Sequence, residues 1–176
     1  GRRGYGSTHS QTLESLFLGV PGLNIIAPSN YHSPGDLLYQ TLLNIENPTI
    51  FVENKMLYPE RLKLPDKNGK LDDFYHTIIN NSENNYPTIS LKIEKEEYQD
   101  VVLIAYGGMA PLAVKAAMNS FIDEEILVEV LIPSLIKPFP IEDILPSVQQ
   151  CGRVIIVEEG IKTSGWGAEL ASQITE

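Results

Sequence analysis

From residue 101 onward, short apolar β-branched runs alternate with helical patterns three times, and nothing else in the chain restricts its fold so strongly. "VVLIAYGG" (101–108) reads as a strand entering a glycine turn, and "MAPLAVKAAMNSFI" (109–122) as a helix with Pro111 in its first turn. "ILVEVLIP" (126–133) reads as a second strand, and "IEDILPSVQQCG" (141–152) as a helix bent or delimited by Pro146. "RVIIVEEG" (153–160) and "GWGAELASQIT" (165–175) complete the third strand–helix pair. Such alternation predicts a parallel sheet with right-handed crossovers.

The first half reads as helix, strand, helix, strand, like the back end of a similar unit. Thr8 and Gln11 form an S/T-x-x-Q capping box, and Leu13, Leu16, Phe17 and Val20 follow as one apolar stripe before Pro21-Gly22. "LNIIAP" (23–28) and "PTIFVEN" (48–54) read as buried strands. Between them "SPGDLLYQTLLN" (33–44) offers Ser33 as cap, Pro34 at the first helical position and Asp36 in the first turn. Residues 55–100 are polar and broken by proline and asparagine, so they read as a connection carrying one or two edge strands such as "TISLKI". The expected architecture is therefore α/β. It has two three-layer modules with mainly parallel sheets, over residues 1–58 and 100–176, joined by 59–99.

A net charge of −10 argues against nucleic acid, whose phosphates need a basic surface. No apolar run is long enough to cross a bilayer, and the single cysteine, Cys151 at a helix end, excludes a disulfide framework. These features predict a cytoplasmic protein. Gly1-Arg2-Arg3-Gly4 holds neither an initiator methionine nor a signal peptide, which predicts a piece of a longer chain.

Three stretches fall where ligands gather in parallel sheets. In "GYGSTHSQTLESLF" (4–17), His9 sits at the expected helix start, where the positive helix end favours a neutral imidazole able to shuttle protons. Spacing alone leaves open a solvated histidine there. Gly107-Gly108 could seat a phosphate on helix amides, but without G-x-G-x-x-G a tight turn is the plainer reading. In "EEGIKTSGWGAE" (158–169), adjacent strand residues point to opposite faces, so Glu158 and Glu159 are not expected to address one substrate. Gly165-Trp166-Gly167 could be a packing contact for a neighbouring subunit. His32 and His76 read as solvated, and no metal-ligand spacing is present.

Ordered motifs then carry a resemblance. "HSQTLESLFLGVPGLNIIAPSNYHSPGDLLYQTLLNIENPTIFVENKMLY" (9–58), "DVVLIAYGGMAPLAVKAA" (100–117) and "VEVLIPSLIKPFPIEDILPSVQQCGRVIIVEEGIKTSGWGAELASQI" (128–174) are collinear with one family. The chain resembles the beta subunit, or fused beta region, of the thiamine-diphosphate-dependent 2-oxo acid dehydrogenases, within the transketolase-like superfamily. The resemblance implies the C-terminal part of a pyrimidine-binding domain followed by a truncated transketolase C-terminal-like domain. It implies oxidative decarboxylation of a 2-oxo acid with acyl transfer to a lipoyl group, with thiamine diphosphate and Mg²⁺ as cofactors of the parent enzyme. His9 would be the catalytic residue, with Ser10 and Gln11 behind it. The family's cofactor-activating glutamate and ring-stacking aromatic would lie upstream of this chain, so the isolated piece is expected to bind no cofactor and to be inactive. The implied partners are an alpha subunit or domain, a second beta copy and the lipoyl acyltransferase core, with Trp166 and Glu169 as interface candidates. Rival readings are another superfamily enzyme, a transketolase or deoxyxylulose-phosphate synthase, and a non-catalytic assembly module. The former need basic residues for a sugar phosphate, and near His9 only Arg2 and Arg3 offer them.

Overall fold

The computed structural model of the chain describes residue 6 and residues 8–44, 47–81, 85–95 and 98–176. Among these, two sheets carry the fold. The larger runs β3 (Lys70–Leu71), β4 (Phe74–Ile79), β5 (Thr88–Lys92), β7 (Val128–Pro133), β6 (Val101–Ala105) and β9 (Val154–Val157), in that spatial order. Strands β7, β6 and β9 are parallel, as the alternating pattern predicts, whereas β3, β4 and β5 join antiparallel. A three-stranded sheet has the order β2 (Thr49–Phe51), β1 (Asn24–Ile26), β8 (Leu135–Lys137). The α/β class is as expected, and the sheets are mixed.

Alternation along β6 and β7 splits the core. Leu103, Ala105, Val128, Val130 and Ile132 face α2 (Ala110–Glu124), which presents Ala110, Ala113 and Ala117 to them. These small side chains let helix and sheet approach closely. Val102, Ile104 and Leu131 face the other way, with Ile144 and Val148 of α3 (Ile141–Cys151) and Trp166 and Leu170 of α4 (Trp166–Thr175). The smaller sheet takes β8 from the second half of the chain. Its residues Ile26 and Leu135 pack with Leu37 of α1 (Pro34–Asn44), so the two halves share one body.

Several local readings hold. Pro34 opens α1 and the Asp36 amide donates to the Ser33 hydroxyl at 3.4 Å. α3 ends at Gly152, in the left-handed region with its N–H bonded to the Val148 carbonyl at 2.7 Å. α3 also runs through Pro146 rather than stopping at it.

Three readings are corrected. The opening helix is only a four-residue 3-10 turn, Glu14–Phe17, and its stripe is exposed, Leu16 by 70%. An isolated amphipathic helix of this length is marginal unless its apolar face is covered, and no described element covers it. Residues 59–99 hold three strands, and "TISLKI" forms internal β5, not an edge. Finally His32 is 3% exposed rather than solvated. Its Nδ1 accepts from the Ser29 amide at 3.2 Å and lies 2.9 Å from the Ser29 hydroxyl. Burial pushes its pKa down to about 4. His76, on β4, is half-buried and shifted downward by desolvation.

Candidate active site

The loops after β2, β6 and β9 meet at the carboxyl ends of those strands, with residues 9–17 closing over them. They enclose a cleft of about 300 Å³. Leu13, Phe17, Ile50 and Val52 form its apolar side; His9, Gln11, Glu14, Glu53, Asn54, Lys55 and Glu159 supply its polar groups. A recess continues inward between Glu14, Asn54, Glu159 and the Tyr106–Met109 turn. The three stretches weighed separately in the sequence therefore line one continuous site.

Asn54 joins them. Its Oδ1 accepts the Met56 amide at 2.9 Å, capping a short turn after β2, and its Nδ2 donates to the Glu159 carboxylate at 3.1 Å. Gly108 lies so close that a Cβ there would overlap the Asn54 amide group. Gly107 adopts φ 51°, in the left-handed region. The paired glycines thus serve a tight turn and a close approach, the plainer of their two readings.

The adjacent glutamates lie just past the end of β9, and they take different partners. Glu158 accepts from the amides of Trp166 at 3.1 Å and Gly167 at 3.0 Å, capping α4, whose first turn follows a residue with no side chain. Glu159 turns toward Asn54 and the cleft. The carboxyl of Glu14 is raised above its ordinary value, first by burial and then by the charge of Glu159. Burial lifts the Tyr106 phenol strongly, with Glu14, Glu158 and Glu159 adding to the shift. The floor is thus acidic and surrounds a phenol that stays protonated, an environment that suits a cation or a held proton and opposes an anionic phosphate.

His9 is exposed in a turn on the rim, its amide bonded to the Gly6 carbonyl at 3.3 Å. It lies ahead of the 3-10 turn and at no helix end, so the expected helix field does not act on it. Gln11 lines the cleft, whereas the Ser10 hydroxyl is buried without a hydrogen-bond partner. Trp166 is 1% exposed: its Nε1 donates to the Ile136 carbonyl at 3.1 Å, and its ring stacks on Phe139 and meets the edge of Tyr106. It is a core residue, not a surface for a neighbour. Glu169 is exposed on α4 and accepts from Gln173 at 3.0 Å. Arg2 and Arg3 lie outside the described residues. Among the described residues no cluster is placed to hold a metal ion, and no helix is long and apolar enough to cross a membrane.

Sequence reasoning passed over Asn54, Glu14 and Tyr106. Tyr106 directly follows β6 and Asn54 comes shortly after β2, positions at strand ends that could have marked both.

Residues 90–176 match the family described as transketolase, C-terminal domain. Over 99% of its length the chain is 32% identical to a pyruvate dehydrogenase E1 component subunit beta from Porphyra purpurea, covering 47% of that protein. A mitochondrial E1 subunit beta-1 from Arabidopsis thaliana is 30% identical over 98% of the chain, with 44% of its own length covered. The chain spans about half the length of the curated relatives it matches. A split-gene transketolase described as an inactive beta4 tetramer shares the fold with TM-score 0.61 and 19% identity, over 96% of this chain and 50% of that one. A transketolase from Leishmania mexicana aligns with TM-score 0.56 and 16% identity, over 97% of this chain and 26% of that one. The matched residues thus hold the end of β5, all of β6–β9 and α2–α4, while the opening loop and the segment after β2 bring the other wall of the cleft.

Proposed function

We propose that this chain is part of the beta subunit of a 2-oxo acid dehydrogenase. The parent enzyme decarboxylates a 2-oxo acid oxidatively and passes the acyl group to a lipoyl arm. The observation that carries this reading is the meeting of His9, Asn54 and Glu159 in one cleft, in a chain collinear with pyruvate dehydrogenase beta subunits.

Thiamine diphosphate, when bound by the parent enzyme, supplies the electron sink for decarboxylation. The residues here fit only part of it. The acidic floor of Glu14 and Glu159 suits a cationic ring and opposes a diphosphate, which with Mg²⁺ belongs to the alpha partner or domain. This chain's own work is to receive the substrate and handle protons. His9, at the rim, holds or donates a proton at the substrate's developing oxygen. Glu159, fixed by Asn54, keeps the recess polar and oriented, while Leu13, Phe17, Ile50 and Val52 exclude water from one side. A second beta copy and a lipoyl acyltransferase core are the further partners, in the cytoplasm.

The alternative, a sugar-phosphate enzyme of the same superfamily, is disfavoured by the lining: Lys55 is the only lysine or arginine described in the cleft. A test is to assemble the longer beta chain carrying these residues with its alpha partner, thiamine diphosphate and Mg²⁺. Reduction of an artificial electron acceptor is then followed with pyruvate, branched-chain 2-oxo acids and a ketose phosphate. Activity with a 2-oxo acid is expected, and activity with the ketose phosphate alone would overturn the reading. The isolated 176-residue chain should show no decarboxylation under the same conditions.

A further inference from the structure

Beside the cleft, and sharing Glu53 and Asn54 with it, lies a second cavity of about 310 Å³. One wall is the loop after β1 (residues 28–34), and the other is the segment after β2 (residues 53–62). The Lys63 amide donates to the Asn30 carbonyl at 2.7 Å and ties the two walls together. Pro28, Pro34, Leu57 and Leu62 make part of the surface apolar. The volume is at the small end of the range for sites that take small molecules (~300–1,000 Å³).

The charged groups of this cavity are all negative. Glu53 and Glu60 line it, both exposed, and neither is in an ion pair among the described residues. No lysine, arginine or histidine is among the described lining residues, and the nearby Lys63 ammonium is committed to Asp72 at 2.9 Å. Tyr58 donates its hydroxyl to the Glu53 carboxylate at 3.2 Å, which holds that carboxylate beside an aromatic ring. Asn30 gives an independent sign. It is 8% exposed and lines the cavity, and its Oδ1 is buried with no hydrogen-bond partner among the described residues. An acceptor left in that state costs stability, and a donor that reaches it recovers the cost. The outer torsion of an asparagine side chain is soft, so a small rotation turns Oδ1 to the cavity.

We propose that this cavity binds a small organic cation carrying N–H donors, an alkylammonium or alkylguanidinium. Glu53 and Glu60 supply the counter-charge, the Asn30 oxygen accepts one N–H, and the prolines and leucines receive the alkyl part. A hard metal ion fits less well, because it needs a shell of oxygens where this wall offers hydrocarbon. The net charge of −10 on the chain adds a general attraction for cations. The proposal does not depend on the reaction carried out at the cleft.

The test is a titration of the 176-residue chain, read by amide chemical shifts, with n-butylammonium and with n-butylguanidinium. A third titration uses butyltrimethylammonium, which has the same charge and alkyl chain without N–H groups. Saturable shifts confined to the two walls, residues 28–34 and 53–62, are expected with the first two ligands. Their Kd should be roughly 1–10 mM, as suits ion pairs at exposed carboxylates. The tighter of the two tells which headgroup the site takes. Butyltrimethylammonium should bind about fivefold more weakly or worse. Glu53→Gln combined with Glu60→Gln should weaken binding about tenfold, and both positions are exposed, so the fold should survive. Glu124→Gln, exposed at the end of α2, should change the affinity by less than about twofold. Asn30→Ala should erase the preference for N–H cations. Should that variant fail to fold, the comparison of ligands on the parent chain carries the same test. The proposal is overturned by any of four results. These are no saturable shifts up to about 100 mM, shifts centred on His9, Glu14 and Glu159 in the cleft, butyltrimethylammonium bound as tightly as n-butylammonium, or equal affinity in the double Gln variant and the parent chain.

Discussion

His32 gives the sharpest handle on how this chain responds to acid. Its imidazole is buried at 3% exposure, with Nδ1 accepting from the Ser29 amide, so protonation both desolvates a charge and breaks that bond. Burial lowers its native pKa to about 4, against about 6.5 in an unfolded chain. Between those values the unfolded chain takes up a proton that the native site refuses, so stability falls as pH falls through that window. Between pH 7 and pH 5 this one group removes about 2 kcal/mol of stability, nearly all of its effect arising below pH 6.5. Glu14, whose pKa is raised, acts in the opposite sense, losing stability as pH rises through its native value, so the comparison must be made between variants. The assay is urea unfolding at pH 7 and pH 5 for the parent chain and for His32→Asn, which can keep an acceptor near Ser29. The parent should lose about 2 kcal/mol more than the variant over that interval. Equal losses would refute a buried neutral histidine at this position.

Other outcomes follow from the same geometry. Glu158→Ala removes two charge-assisted bonds to the first amides of α4 and should lower stability by about 2 kcal/mol in urea unfolding, with Glu158→Gln intermediate. Gly108→Ala should displace the Asn54 side chain, lowering turnover of the assembled enzyme on the order of 10²-fold while far-ultraviolet circular dichroism stays unchanged. Asn54→Ala should reproduce that loss.

The parallel core was legible because β6, β7 and β9 are apolar runs separated by helical patterns, a signal local in sequence. What failed to show was whatever depends on distant partners. The stripe Leu13, Leu16, Phe17, Val20 has helical spacing, yet spacing cannot reveal that no described element covers it. "TISLKI" alternates like an edge strand, but its polar residues Thr88 and Ser90 are buried because Asp143 and Glu129 accept their hydroxyls. Trp166 between two glycines suggested a surface, whereas Gly165 and Gly167 are small so that Glu158 can reach the α4 amides. At the site, His9, the glycine turn and the glutamates were each visible. Their convergence was not, since Asn54 ties residues 105 positions apart.

The central claim is that His9 acts chemically at the rim of this cleft. It is tested most directly by replacing His9 with alanine in the longer beta chain, assembled with its alpha partner, thiamine diphosphate and Mg²⁺. Acceptor reduction is then measured with the preferred 2-oxo acid. Turnover lower by about two orders of magnitude or more, with assembly intact, is the predicted result for a lost proton-transfer group. Turnover within about twofold of the parent enzyme would contradict the claim and leave His9 an exposed loop residue.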